Sequence, residues 1–97
     1  MDLGLTGKRF LVTGGTRGIG RATVEGLLAE GAAVAYCARS ADAVLATQSA
    51  LTANGATAIG TAVDVGDTAA LTDWVNASAG ALGGIDGVVV RVAEIVA

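Results

Sequence analysis

Four short apolar runs, at residues 8–13, 33–38, 57–63 and a last one through Ile85 and 88–92, alternate with three longer stretches whose apolar residues recur at helical spacing. This alternation predicts the element order βαβαβαβ. Each connection is long enough to cross a sheet, so successive strands pair parallel rather than folding back as hairpins. The strand-like runs are apolar on consecutive positions instead of alternate ones, as expected when helices cover both faces of a sheet. The predicted strand order is 3-2-1-4, the fourth strand lying on the other side of the first. No repeat or linker divides the 97 residues, and a single α/β domain over 1–97 is expected.

The helix boundaries follow from local chemistry. The first helix is expected over 19–30, with Ala22, Val24, Leu27 and Leu28 facing inward and Gly31 as its stop. Gly26 inside it costs about 1 kcal/mol of helix propensity, which suggests a close approach to the sheet. Ser40 or Asp42 caps the second helix, whose Val44, Leu45, Gln48, Leu51 and Ala53 precede the breaking pair Asn54-Gly55. Asp67 caps the third, which carries Leu71, Trp74, Val75 and Ser78 on one face and is expected to finish near Gly80. Trp74 reads as core packing against the sheet, with a helix-mediated contact between copies as the alternative.

Between the first strand and the first helix stands Thr13-Gly14-Gly15-Thr16-Arg17-Gly18-Ile19-Gly20. A tight turn into a helix start presents backbone N–H groups and the positive end of the helix dipole, which together suit a diphosphate. Gly14 is expected to take a turn conformation closed to other residues. Gly18 lets a ligand approach the backbone, and Gly20 lets the helix lie against the strand. Thr16, Arg17 and Ile19 belong to the same turn. A glycine-rich turn alone is weak evidence, but here a strand precedes it and a helix follows.

The spacing Thr13-Gly14-x-x-x-Gly18-x-Gly20, with Asp64-Val65 after the third strand and Gly84-Ile85-Asp86-Gly87 before the fourth, resembles the short-chain dehydrogenase/reductase family. The resemblance runs along essentially the whole chain but covers only the N-terminal portion of a usual member. It implies a three-layer α/β/α half-Rossmann fold, truncated and nucleotide-binding. By resemblance, Asp64 accepts from the adenine amino group, Val65 adds backbone and apolar contact, and Ile19 packs beside the diphosphate. On physical grounds alone, Asp64 also reads as a turn cap between Val63 and Gly66.

The cofactor follows from the end of the second strand, Cys37-Ala38-Arg39-Ser40. The resemblance puts the acid that selects NAD at Ala38, so that acid is missing. Arg39 and Arg17 offer two guanidinium groups for a 2′-phosphate, with Ser40 as a lesser contact, and NADP(H) is the expected cofactor. The bland reading of both arginines is solvent-facing loop charge.

Two departures from the family pattern bear on activity. The Asn-Asn-Ala-Gly expected at the end of the fourth strand reads Val90-Arg91-Val92-Ala93. The family's catalytic serine and its tyrosine-x-x-x-lysine pair fall on elements beyond this sequence. The only tyrosine, Tyr36, lies in the second strand with Ser40 where the lysine would stand, and reads as a sheet-face aromatic under a helix. Lys8 reads as a surface charge, and Cys37, with no histidine to activate it, as a small core residue. No catalytic residue is therefore assigned. The expected function is an NADP(H)-binding domain inactive by itself. A piece of an NADP-dependent carbonyl reductase or alcohol dehydrogenase, and a structural dimer with a vestigial site, are the alternatives.

Composition narrows the partners. Nine acidic and six basic residues give a net charge of -3 with no basic cluster, so no nucleic-acid surface is expected. With no histidine and one cysteine, neither a metal site nor an internal disulfide is expected. No apolar run is long enough for a membrane span, and the start lacks the pattern of a signal peptide, which makes a cytoplasmic location the expectation. The apolar fraction, 53%, warns of self-association. A homodimer through the exposed edge of the fourth strand is expected, with Arg91 and Glu94 in reciprocal ion pairs and Ile95 and Val96 extending the strand.

Overall fold

The computed structural model describes residues 4–16, 18–53 and 55–90. The elements run β1 (Arg9–Thr13), α1 (Gly18–Ala29), β2 (Ala33–Ala38), α2 (Ala41–Thr52), β3 (Ala58–Ala62), α3 (Thr68–Leu82) and β4 (Gly87–Val89). The four strands form one parallel sheet in the order β3-β2-β1-β4. This is the three-layer α/β/α half-Rossmann arrangement.

The strands look uniformly apolar because both of their faces are covered. In β1 and β2, Val12, Val34 and Tyr36 pack with Val24 of α1 and with Val44 and Leu51 of α2. The intervening Leu11, Ala35 and Cys37 pack on the opposite face with Val63, just past β3, and with Trp74 of α3. Alternation survives, but it sorts residues between two cores rather than between core and water. Trp74, 5% exposed, is a core residue of the second face, and its indole Nε1 finds no hydrogen-bond partner among the described residues.

Capping explains where the helices begin and end. The Ser40 hydroxyl accepts from the Ala43 amide at 3.2 Å, and the Asp67 carboxylate accepts from the Ala70 amide at 3.1 Å. α3 continues past Gly80 to Leu82, because the left-handed position it needs is supplied by Gly83 at φ 81°, whose amide donates to Ala79 O.

Some inward-facing assignments are corrected by helix phase. Gly20, Val24, Leu27 and Leu28 make the α1 face, and Ala22, about 200° from Val24 at 100° per residue, is exposed. In α2 the buried stripe is Val44, Thr47 and Leu51 with half-buried Gln48; Leu45 is 67% exposed and Ala53 is exposed. Gly26 makes no close approach, since a methyl group built there would meet nothing within 4 Å.

Strand ends also shift. β1 starts at Arg9, because the Lys8 amide turns back to Leu5 O, and Lys8 is exposed. β3 is shorter than 57–63, although Thr57 O and the Val63 amide still bond to β2 at Val34 and Ala38. β4 ends at Val89; Ile85 joins the α3 core from the preceding turn, and Val90 is exposed. Expectations for Arg17, Asn54, Arg91, Val92, Ala93, Glu94, Ile95 and Val96 lie outside the described residues.

A polar latch closes the end of the sheet where the strands begin. The Arg9 guanidinium donates to Asp86 Oδ2 at 3.0 Å and to Gly83 O at 2.7 Å, while the Arg9 amide donates to the same carboxylate at 2.8 Å. The Asp86 amide donates to Arg9 O at 2.7 Å. These bonds tie the α3–β4 turn to β1. The hydrogen bonds from Arg9 hold the Asp86 carboxyl below the usual carboxylate range.

Candidate nucleotide site

Parallel register gathers the chemistry at the other end of the sheet. Thr13 pairs with Cys37, and Ala38 with Ala62, so the segments leaving β1, β2 and β3 emerge side by side. A cleft of about 600 Å³ opens there. Ligand sites in open parallel α/β sheets occupy this position, and the volume lies within the usual range for a small-molecule pocket.

Of the residues singled out from the sequence, Gly14, Thr16, Arg39, Ser40, Asp64 and Val65 line the cleft. Gly18, Ile19 and Gly20 form the adjoining first turn of α1 and do not line it. Arg17 lies outside the described residues. Ala43 and Val63 also line the cleft and were not singled out. Ala43 is legible only once Ser40 is known to cap α2, since capping brings the first turn of that helix to the rim.

The loop is held by backbone bonds. The amides of Gly14 and Gly15 both donate to Cys37 O, at 2.8 and 3.2 Å. They anchor the loop to β2, which leaves the donor role to the first turn of α1, where helix geometry provides no intrahelical acceptors. That turn contains no acidic residue to oppose an anion. Gly14 sits at φ 72°. At Gly20, a methyl group would collide with the Gly14 carbonyl oxygen and lie 2.8 Å from its carbon. The cradle is thus shaped for a helix start pressed onto the loop, and its residue types fit a dinucleotide diphosphate.

At the rim, the two sides of the cleft meet through charge. Arg39 Nη2 lies 3.8 Å from Asp64 Oδ1, with the side chains 85% and 57% exposed. Such an exposed pair contributes at most about 1 kcal/mol, so it ties neither side chain down strongly. Asp64 Oδ1 also accepts from the Gly66 amide at 2.9 Å, and Asp64 O accepts from the Asp67 amide. The carboxylate therefore serves as a turn cap, and this geometry keeps it at the end of β3 beside Arg39. Tyr36 is fully enclosed, and burial pushes its phenol above the usual range. It does not face the cleft as a proton donor. Among the described residues, no group of three metal-ligating side chains comes together.

The profile of the short chain dehydrogenase family matches residues 8–94. The isoepoxydon dehydrogenase patN of Penicillium expansum is 44% identical over 91 residues, covering 89% of this chain and 34% of that protein. A short-chain dehydrogenase/reductase from Serratia marcescens superposes with a TM-score of 0.84 at 42% identity, over 90% of this chain and 36% of that one. A metagenomic short-chain oxidoreductase solved in complex with NADP gives a TM-score of 0.78 at 31% identity, over 87% and 38%. The chain spans about a third of the length of the curated relatives it matches. With a family match along most of its length and a superposable fold, the chain belongs to the short-chain dehydrogenase family.

Proposed function

We propose that this chain holds NADP(H), as the nucleotide-binding part of a short-chain reductase, and transfers no hydride by itself. The observation that carries the reading is the end of β2 at the rim of the cleft: Ala38 closes the strand, followed by Arg39 and Ser40, so that the strand itself supplies no acid to serve a free ribose 2′-hydroxyl. The first turn of α1 donates to the diphosphate. Asp64 and Val65 take the adenine, and Arg39, with Arg17 from the loop, takes the 2′-phosphate. When bound, the cofactor supplies or accepts the hydride. The chain's own contribution is to fix the adenine, diphosphate and 2′-phosphate. The sole tyrosine of these 97 residues is committed to the core, its hydroxyl donating toward Val44 O, and does not serve the cleft as a proton donor.

Calorimetric titration tests this. NADPH and adenosine 2′,5′-bisphosphate bind the native chain, and NADH binds more weakly. Arg39→Ala lowers NADPH affinity about tenfold and leaves NADH affinity nearly unchanged, the loss of one charge-assisted contact. Equal NADPH affinity in the variant defeats the 2′-phosphate assignment, and no binding of either nucleotide at millimolar concentration defeats the whole reading.

We further propose that two chains pair through the edge of β4, in a cytoplasmic setting. Among the described residues β4 is paired only on its β1 side, and Val88 and Val90 are about three-fifths exposed. Both features support pairing there. The mass in solution tests it: a monomer at ordinary concentration refutes it. No helix among the described residues is long and apolar enough to cross a membrane.

A further inference from the structure

We propose that Tyr36 is a positioning residue for the 2′-phosphate end of the cleft, its ring set under the glycine loop and its hydroxyl holding the start of α2. The inference rests on the NADP(H) reading above and adds to it a residue that does not touch the ligand.

Tyr36 stands in the middle of β2 and is completely buried. Its neighbours belong to three segments that build the site. On the loop side, a methyl group at Gly15 would lie 2.7 Å from Tyr36 Cβ and 3.1 Å from the ring, so the loop backbone rests directly on this side chain. On the helix side, the phenol donates toward Val44 O at 3.2 Å, sharing its proton with Gln48 Oε1 at the same distance. On the strand side, a methyl group at Gly60 would lie 2.5 Å from the hydroxyl. Only a residue without a side chain leaves room there.

Gln48 completes the arrangement. Its amide oxygen also accepts from the Gly60 amide at 2.8 Å, and its Nε2 donates to Ala58 O. The phenol and this amide fasten α2 to the sheet through one connected network. The network reaches the ligand through the first turn of α2: the Val44 amide donates to Ser40 O, and the Ser40 hydroxyl caps Ala43. Ser40, Arg39 and Ala43 line the cleft. The Tyr36 hydroxyl therefore fixes the segment that presents the 2′-phosphate contacts. The adenine and diphosphate contacts come from other elements.

The consequence is a split between two ligands. Tyr36→Phe keeps the ring under Gly15 but releases Val44 O, so the first turn of α2 loosens while the cradle keeps its shape. NADPH affinity then falls about three- to tenfold, the worth of one buried hydrogen bond, and NADH affinity changes less than twofold. Leu51→Val loosens the far half of α2 and leaves the NADPH-to-NADH ratio where it is. Tyr36→Leu removes the ring as well and weakens both nucleotides.

The test is calorimetry with NADPH and NADH on the native chain and these variants, with urea unfolding to confirm that each is folded at the titration temperature. A native chain that prefers NADPH and a Tyr36→Phe variant with the same ratio overturn this inference and leave the cofactor reading standing. A native chain that binds neither nucleotide overturns both. A Leu51→Val variant that shifts the ratio as far as Tyr36→Phe also overturns it, since general softness of α2 then suffices.

Discussion

Replacing Gly20 and Gly26 by alanine, one at a time, sets two effects against each other within one helix. Both residues lie in α1, and neither is among the glycines with positive φ. Alanine therefore gains about 0.5–1 kcal/mol in helix propensity at an interior position such as 26, and less at 20, nearer the helix start. At Gly26 the new methyl group meets nothing within 4 Å, so the gain stands. At Gly20 it strikes the Gly14 carbonyl. That carbonyl cannot retreat freely, because the Gly15 amide in the same peptide plane and the Gly14 amide before it are both held by Cys37 O, at 3.2 and 2.8 Å. Overpacking costs about 1–3 kcal/mol, and loss of the anchoring bond adds about 1 kcal/mol. The net for Gly20→Ala is a loss of about 1–3 kcal/mol. With a urea m-value near 1–2 kcal/mol/M for a chain of this size, Gly26→Ala moves the midpoint up by about 0.5 M and Gly20→Ala moves it down by roughly 1 M or more. The same displacement spoils the cradle, so Gly20→Ala also loses NADPH binding about tenfold while Gly26→Ala keeps it. A Gly20→Ala variant as stable as the native chain, at unchanged m, refutes the contact between helix and loop on which the site is built.

Other outcomes follow from the latch and the second core. Asp86 is held below its ordinary pKa, so the stability it contributes is present above the unfolded carboxylate pKa and is lost as pH falls through the depressed value; Asp86→Asn flattens the acid limb of a urea-midpoint-against-pH curve and leaves the region above neutrality level. Trp74→Ala costs about 3–5 kcal/mol in urea unfolding, as for other large buried aromatics. Trp74→Phe costs far less, because the smaller ring also removes the indole N–H that lacks a partner; equal losses for the two variants refute that account. If the α3 face joins two copies, Trp74→Ala weakens association more than folding, a comparison read from sedimentation against urea midpoints.

The element order and strand order were legible because short consecutive apolar runs between helix-length stretches leave few parallel arrangements. Helix phase was harder to read. Leu45 and Ala22 look as apolar as their neighbours, and only the angle set by Val44, Thr47 and Leu51, or by Gly20 and Val24, shows which residues point away. Propensity also misplaced one glycine effect: Gly26 is a plain helix weakness, whereas Gly15 and Gly60 make close approaches to Tyr36 that no local signal announces. Those contacts arise between segments brought together by the sheet. In the site, Gly14, Arg39 and Asp64 were readable from spacing and resemblance. That the Gly14 and Gly15 amides are occupied by Cys37 O was not, since the pairing depends on the parallel register of β1 with β2.

Cys37 and Val63 are shared property: each lines the cleft on one side and packs in the Trp74 cluster on the other. The only indole of the chain thus sits a single side-chain layer behind the cleft floor, on the opposite face from the loop and α2. The expected outcome of titrating NADPH is a change in the emission of this fluorophore without any added label, read at about 295 nm excitation against a Trp74→Phe control.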